Sequence, residues 1–206
     1  MKDLKRSKIL DAATKIFAEK GYQYATISDI AKEAGISTGL LYSYFKNKLD
    51  LLLSVVFLFW QEINRLNREK LAAMRNPFDK LVVVLHNIED LLINDERALY
   101  TIKVLNEALP HIVMIKEKKL QKKRQAIIDE NKKLLDAIDE IITEGQKQGV
   151  FDTTLKASVL RQMLCGSIEI LIYGLFFQTH CNQEMGYDLA DAHKGAVRMI
   201  EKFIGK

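Results

Sequence analysis

Residues 26–48 read TISDIAKEAGISTGLLYSYFKNK, and this stretch decides the local fold and the chemistry open to it. Thr26 opens a short apolar-periodic run with Ile27, Ile30 and Ala31 on one face, and Gly35 stops it. Ser37 opens a second run, with Leu40, Leu41 and Phe45 at helical spacing. Two short helices separated by Ala34-Gly35-Ile36 predict a helix-turn-helix, whose second helix can enter a DNA major groove. Thr26 and Ser37 are residue types that accept hydrogen bonds from the orphan N–H groups at a helix start. Gly35 suits the left-handed residue between the helices. Around the second helix, Tyr42, Tyr44, Lys46 and Lys48 are donors suited to phosphate oxygens. Ser37, Thr38, Leu40 and Ser43 are candidates to face base edges. None of them is an Arg, Lys, Asn or Gln capable of bidentate base pairing, so readout would rest on hydroxyls, thymine methyl contacts and Tyr42. Gly39 lets the backbone approach a phosphate closely.

The block resembles the DNA-binding domain of the TetR family of bacterial one-component repressors. The matching residues are Gly21-Tyr22, Thr26, Ile30-Ala31, Ala34-Gly35-Ile36-Ser37, Gly39, Leu41-Tyr42 and Tyr44-Phe45, then Lys48 and Leu51, without a gap from about residue 5 to 55. Two positions depart from the family pattern. Thr38 stands where many members carry Lys or Arg, which removes a cation from the readout face. Tyr44 stands where His is frequent, and keeps a donor for phosphate. The resemblance implies an operator-binding homodimer with a small-molecule pocket in each subunit.

Composition agrees with an all-α protein. The chain has 206 residues, 48% of them hydrophobic, enough for one or two domains with a substantial core. Leu, Ile, Lys, Glu and Ala dominate, and only Pro77 and Pro110 interrupt as prolines. Residues 1–50 hold nine Lys/Arg against six Asp/Glu, and the remainder 22 against 21. The basic excess therefore sits with the helix-turn-helix, as nucleic-acid binding requires. Cys165 and Cys181 are the only cysteines, too few for a disulfide framework. MKDLKRSKIL has no apolar signal region. The apolar stretch Leu51–Trp60, broken only by Ser54, spans roughly 15 Å as helix, about half of a bilayer core. A cytoplasmic protein without membrane contact is expected.

A first helix is predicted at about 4–20, with Ile9, Ala13, Ile16 and Phe17 as its apolar stripe. Lys2, Lys5, Arg6 and Lys8 open it, either as a solvated basic terminus or as contacts to the DNA backbone or minor groove. A three-helix DNA-binding domain over 1–48 follows, with a helical effector-binding and dimerisation domain over 49–206. The long helix at about 47–74 is apolar nearly all round at its start, which predicts burial on every side and a mechanical link between the domains. Helices are expected at 78–94, 95–108, 112–147 after a break at Pro110, 155–179 and 188–204, with Gly145 and Gly149 ending the third of these.

The helices at 155–179 and 188–204 carry two apolar seams, one for the chain's own core and one for a partner. Leu164, Leu171, Leu175, Leu189, Ala196, Met199 and Phe203 are assigned to a homodimer interface. The second seam is Met163, Ile170, Tyr173 and Phe177. The resemblance implies a four-helix bundle from the last two helices of each subunit. Phe59, Trp60, Ile63, Tyr100, Leu105, Tyr173, Phe176 and Phe177 are candidate pocket walls for an apolar or amphipathic effector, or plain core. The run KEKKLQKKR at 116–124 is either a solvated face or a handle for an anion such as the phosphates of an acyl-coenzyme A, an effector of some family members. His86, His111, His180 and His193 are scattered, and no metal or cofactor is expected. The sequence reads as a ligand-responsive repressor of transcription. The alternative, a helical enzyme or small-molecule binder without a DNA role, lacks a nucleophile–base pair, a phosphate loop or a carboxylate dyad.

Overall fold

A computed structural model describes residues 2–93, 104, 108–181 and 186–204. Its elements are helices: α1 (Lys2–Tyr24), α2 (Ile27–Glu33), α3 (Thr38–Tyr44), α4 (Lys48–Leu71), α5 (Pro77–Ile93), α6 (Lys118–Lys147), α7 (Ala157–Cys181) and α8 (Leu189–Met199), which continues as a wider turn over Ile200–Ile204. The chain forms two compact units, one of residues 1–64 and 90–132, the other of residues 65–89 and 133–206. The expected helix at 95–108 lies outside the described residues except at Val104 and Ala108. The break expected at Pro110 falls instead at residues 114–117, and residues 108–113, Pro110 among them, are helical.

The first unit is built round one apolar cluster. Ile9, Ala13 and Phe17 of α1, Ile30 and Ala31 of α2, Leu41 of α3, Phe45 and Leu51–Leu53 of α4 join Val104, Ala108, Ile112, Leu120 and Ile127. Every residue from Leu51 to Val56 is buried, whereas Leu58 is 37% exposed, so all-round burial holds for the first part of the apolar stretch only. α1 is interrupted at Gly21, with φ 77° and ψ 152°. Its last carbonyls are then gathered by a residue from the start of α4. Lys48 Nζ donates to the carbonyls of Tyr22 at 2.7 Å, Ala25 at 2.9 Å and Gln23 at 3.2 Å, and lies 4.6 Å from the Tyr22 ring centre. Burial lowers the Lys48 pKa and raises that of Tyr22.

The second unit packs α5, the C-terminal part of α6, α7 and α8. Its buried apolar residues include Leu81, Val84 and Leu85 of α5 and Ile138, Ile142, Phe151, Leu160, Leu164, Ile168, Ala192, Ala196 and Ile200. Asn87 Nδ2 donates to Asn67 Oδ1 at 2.7 Å inside this unit; a buried amide pair fixes register as well as satisfying one bond. α6 ends as expected at Gly149, which has φ 72° and lets Val150 N–H reach the Gly145 carbonyl at 2.8 Å and Gly149 N–H that of Gln146 at 3.2 Å. Gly145 does something else. It lies inside α6, and a Cβ there would come within 2.1 Å of the buried Phe151 ring.

The Lys48 clamp gives a stability prediction. Lys48→Met leaves three carbonyls short of a donor and should cost about 1–3 kcal/mol in chemical denaturation. An unchanged midpoint would mean that water serves those carbonyls equally well.

Candidate nucleic-acid interface

Each helix of the helix-turn-helix is capped by the residue the sequence nominated. Thr26 Oγ1 accepts from Asp29 N–H at 3.1 Å while Asp29 Oδ2 accepts from Thr26 N–H at 3.0 Å, a reciprocal capping box. The hydrogen bond from Lys20, then those from the Thr26 hydroxyl and amide, lower the Asp29 pKa to about 2. This support is therefore complete above the ordinary carboxylate range and is lost as pH falls toward 2. Gly35 has φ 65°, and Ile36 N–H reaches the Ala31 carbonyl at 3.0 Å while Gly35 N–H reaches that of Lys32 at 3.1 Å. A residue with a Cβ would be strained there. Ser37 Oγ accepts from Leu40 N–H at 3.2 Å and starts α3.

The buried side of α3 is Leu41, continued by Phe45, with Leu40 and Tyr44 half-buried. Thr38, Gly39, Tyr42 and Ser43 are exposed, and exposed Lys46 follows. Tyr42 is 55% exposed. Ser43 Oγ donates back to the Leu40 carbonyl at 2.6 Å. Gly39 has open space where a Cβ would stand, with no atom within 4 Å. Nothing inside the chain requires glycine there, although glycine weakens a helix relative to alanine by roughly 0.5–1 kcal/mol. Arg6 is half-buried with its guanidinium 5.6 Å from the Phe45 ring centre, on the same small core.

One expected phosphate donor needs correction. The Lys48 ammonium has three protons, and three backbone carbonyls accept them. It is a strut under the helix-turn-helix. Sequence pattern could not find this, because the acceptors belong to a helix end more than twenty residues earlier.

The candidate pocket residues are only partly brought together. Phe59 and Trp60 form an edge-to-face pair 5.1 Å apart, and Ile63 is fully buried, all in the first unit. Tyr100 and Leu105 lie outside the described residues, and the side chains of Tyr173, Phe176 and Phe177 on α7 do too. Two ties register α4 against α6 here: Lys123 to Asp50 and Ser54, and Asn64 Nδ2 to the Glu130 carbonyl at 2.8 Å. Between them come Phe57, Phe59, Trp60 and Ile63 on α4, and Arg124 and Ile127 on α6. Within the basic run 116–124, Lys116, Lys118 and Lys122 are exposed, whereas Arg124 is half-buried and its Nε is buried without a hydrogen-bond partner. In the second unit an open cleft along α6 is lined by Asp136, Asp139, Glu140 and Glu144 with Thr143 and Lys147, a lining that repels anions.

The interface assignment is also corrected. Leu164 and Ala196 are 1% and 2% exposed within the single chain, so neither can reach a partner without opening its own core. The outward stripe of this helix and the turn before it is Leu155, Val159, Met163 and Ile170, exposed by 41%, 43%, 51% and 72%. Of the other assigned residues, Leu171 and Met199 are half-buried, and the side chains of Leu175, Leu189 and Phe203 lie outside the described residues. Among the described residues no group of three or more His, Cys, Asp or Glu could hold a metal, and no helix is long and apolar enough to cross a membrane.

Known proteins resemble the chain along almost its whole length. The model of bacterial regulatory proteins of the tetR family matches residues 9–55, and that of the YsiA-like protein C-terminal region matches residues 61–202. The fatty acid metabolism regulator protein of Bacillus subtilis (strain 168) is 32% identical over 196 residues, covering 95% of this chain and 93% of its own length. The solved structure of the transcriptional regulator FadR from Bacillus subtilis, in complex with stearoyl-CoA, is 28% identical and superposes with a TM-score of 0.70, covering 95% of this chain and 97% of that one. A transcriptional regulator from Saccharomonospora viridis, solved with choline, superposes with a TM-score of 0.77 at 23% identity over 98% and 97% of the two chains, a likeness of fold alone. With capped recognition helices, an exposed polar face on the second of them and both family regions present, the chain belongs to the tetR family of bacterial regulatory proteins, ligand-responsive regulators of transcription that bind DNA.

Proposed function

We propose that this regulator is a cytoplasmic repressor without enzymatic activity, which holds its operator as a homodimer and releases it on binding a long-chain acyl-coenzyme A. Residues 1–48 act as the DNA-binding domain and 49–206 as the effector and dimerisation domain. On the DNA side the observation that carries the reading is Gly39, a helix-weakening residue on an exposed face with nothing in its own chain to require it. A phosphate backbone drawn close to α3 would require it. Thr38, Tyr42 and Ser43 then lie toward base edges, while Arg6, Thr26, Ser37, Leu40, Tyr44 and Lys46 support contacts to the backbone or brace the helix that makes them.

The effector reading rests on the relative that regulates fatty acid metabolism and on the structure solved with stearoyl-CoA. It is supported by the Phe59–Trp60 pair and buried Ile63 on α4, and by Arg124 on α6, whose buried Nε has no acceptor among the described residues. Apolar bulk together with one unsatisfied guanidinium N–H in the same unit suits an acyl chain ending in an anionic or carbonyl-bearing group. The dimer reading rests on Met163 and Ile170, whose exposure leaves an apolar stripe that a second copy would cover.

Four outcomes follow. Gly39→Ala should raise stability by roughly 0.5–1 kcal/mol in denaturation yet weaken operator binding in a gel-shift assay; unchanged binding would remove the close approach. Ile170→Glu should convert the dimer to monomers by light scattering while the fold survives, because in the monomer this position is already in water; a stable dimer would put the interface elsewhere. Stearoyl-CoA should release operator DNA and stearate should do so more weakly. Arg124→Leu should shift the dose of the ester upward by about ten-fold or more, the worth of a hydrogen bond to a charged group, without loss of stability. Operator binding indifferent to stearoyl-CoA would overturn this effector.

A further inference from the structure

Lys123 belongs to the basic run, but its charge is turned inward. Its ammonium donates to the Asp50 carboxylate, to the Asp50 carbonyl at 3.1 Å and to Ser54 Oγ at 2.6 Å. The two charged side chains are only 27% and 14% exposed. Asp50 is occupied on its other side too. Its Oδ2 accepts from Lys46 N–H at 3.0 Å, and its own N–H donates to Asn47 Oδ1 at 2.7 Å. A single carboxylate thus ties the second turn of α6 to the first turn of α4 and to the peptide that follows α3. Burial alone would push the Asp50 carboxyl up, but the hydrogen bonds from Lys123 and from the Lys46 amide outweigh it and hold the group below the usual range.

We infer that Lys123, Asp50 and Ser54 form a latch that positions α3 for operator binding, so that displacement of the start of α6 is felt at the recognition helix. Lys123 is a positioning residue and touches no DNA. α3 is seven residues long and is followed at once by the Lys46 turn, so it has little freedom of its own once that turn is fixed. Rotation of α6 by one residue would carry the ammonium away from both acceptors, leaving Asp50 a half-buried carboxylate without its cation. The turn after α3 would then lose its anchor.

The inference rests on the operator-binding reading above, but its test needs no effector. In the full-length protein Lys123→Met should weaken operator binding by about five- to hundred-fold, the range of typical coupling between sites. The slope of log affinity against log salt should stay that of the wild type, because no phosphate contact is lost. Lys46→Ala is the control and should lower that slope by about one. Lys123→Arg should recover part of the affinity. If Lys123→Met does not fold, Ser54→Ala removes one arm of the latch, keeps the ion pair, and should still weaken binding at an unchanged slope. Wild-type operator affinity in a folded Lys123→Met, or in Ser54→Ala where Lys123→Met does not fold, overturns the latch; so does a weaker affinity with a reduced slope, which would make Lys123 a phosphate contact. A wild type that ignores stearoyl-CoA but shows these differences overturns the effector alone, whereas a wild type without operator affinity overturns the repressor reading itself.

Discussion

The first turn of α4 carries two opposite charges, and both are held inside the first unit. Lys48 gathers the carbonyls at the end of α1, and Asp50, two residues on, accepts from Lys123 of α6 and from the backbone after α3. The two side chains leave the same turn in different directions, one back into the helix-turn-helix and one toward α6. Apolar packing by Leu51, Leu52 and Leu53 is strong but tolerates sliding, since dispersion has little directional preference. Hydrogen-bonded charges do not slide. They specify which rotation of α4 goes with which placement of α3, and burial makes any other pairing costly.

This also marks the limit of what the chain discloses when read as a string. The helix-turn-helix was legible because every signal in it is local. Thr26 and Asp29 are three residues apart, Ser37 and Leu40 likewise, and Gly35 follows the α2 cap directly. Lys48 was misread because its acceptors lie at Tyr22, Gln23 and Ala25, and a basic residue after a recognition helix looks like a phosphate donor until those carbonyls are seen. Lys123 looked like one more member of a solvated basic run for the same reason. On α7 the periodicity marks two seams but carries no sign for which faces inward. Leu160, Leu164 and Ile168 are buried, while Met163 and Ile170 are not, and that choice is made by the elements that pack on α7, α8 among them, not by α7's own sequence.

The glycines make the same distinction by a different route. Gly35 and Gly149 sit at positive φ at the ends of α2 and α6, where backbone conformation explains them. Gly145 lies inside α6, and the Phe151 ring explains it. Gly39 has neither reason. Gly166 and Gly195 have equally open surroundings, so what sets Gly39 apart is its place on the exposed face of α3, where a close approach from outside would use it.

Magnitudes then constrain how an effector could work through the α4–α6 joint. A pair as enclosed as Asp50 and Lys123 lies between an exposed ion pair and a fully buried one, so opening it costs about 1–4 kcal/mol. Moving a regulator from almost wholly operator-competent to almost wholly released requires about 5.5 kcal/mol of differential affinity. A single charge contact to Arg124, at about 1.5–3 kcal/mol, cannot supply that alone. Burying an acyl chain at about 0.8 kcal/mol per methylene can, and only a few methylenes need be buried better in one state than in the other. For the proposed acyl-coenzyme A effector, the headgroup contact would therefore select the ligand class, and the chain would supply the energy that shifts the population. Release should then depend more steeply on chain length than on the headgroup, as a hydrophobic drive working against a polar latch requires.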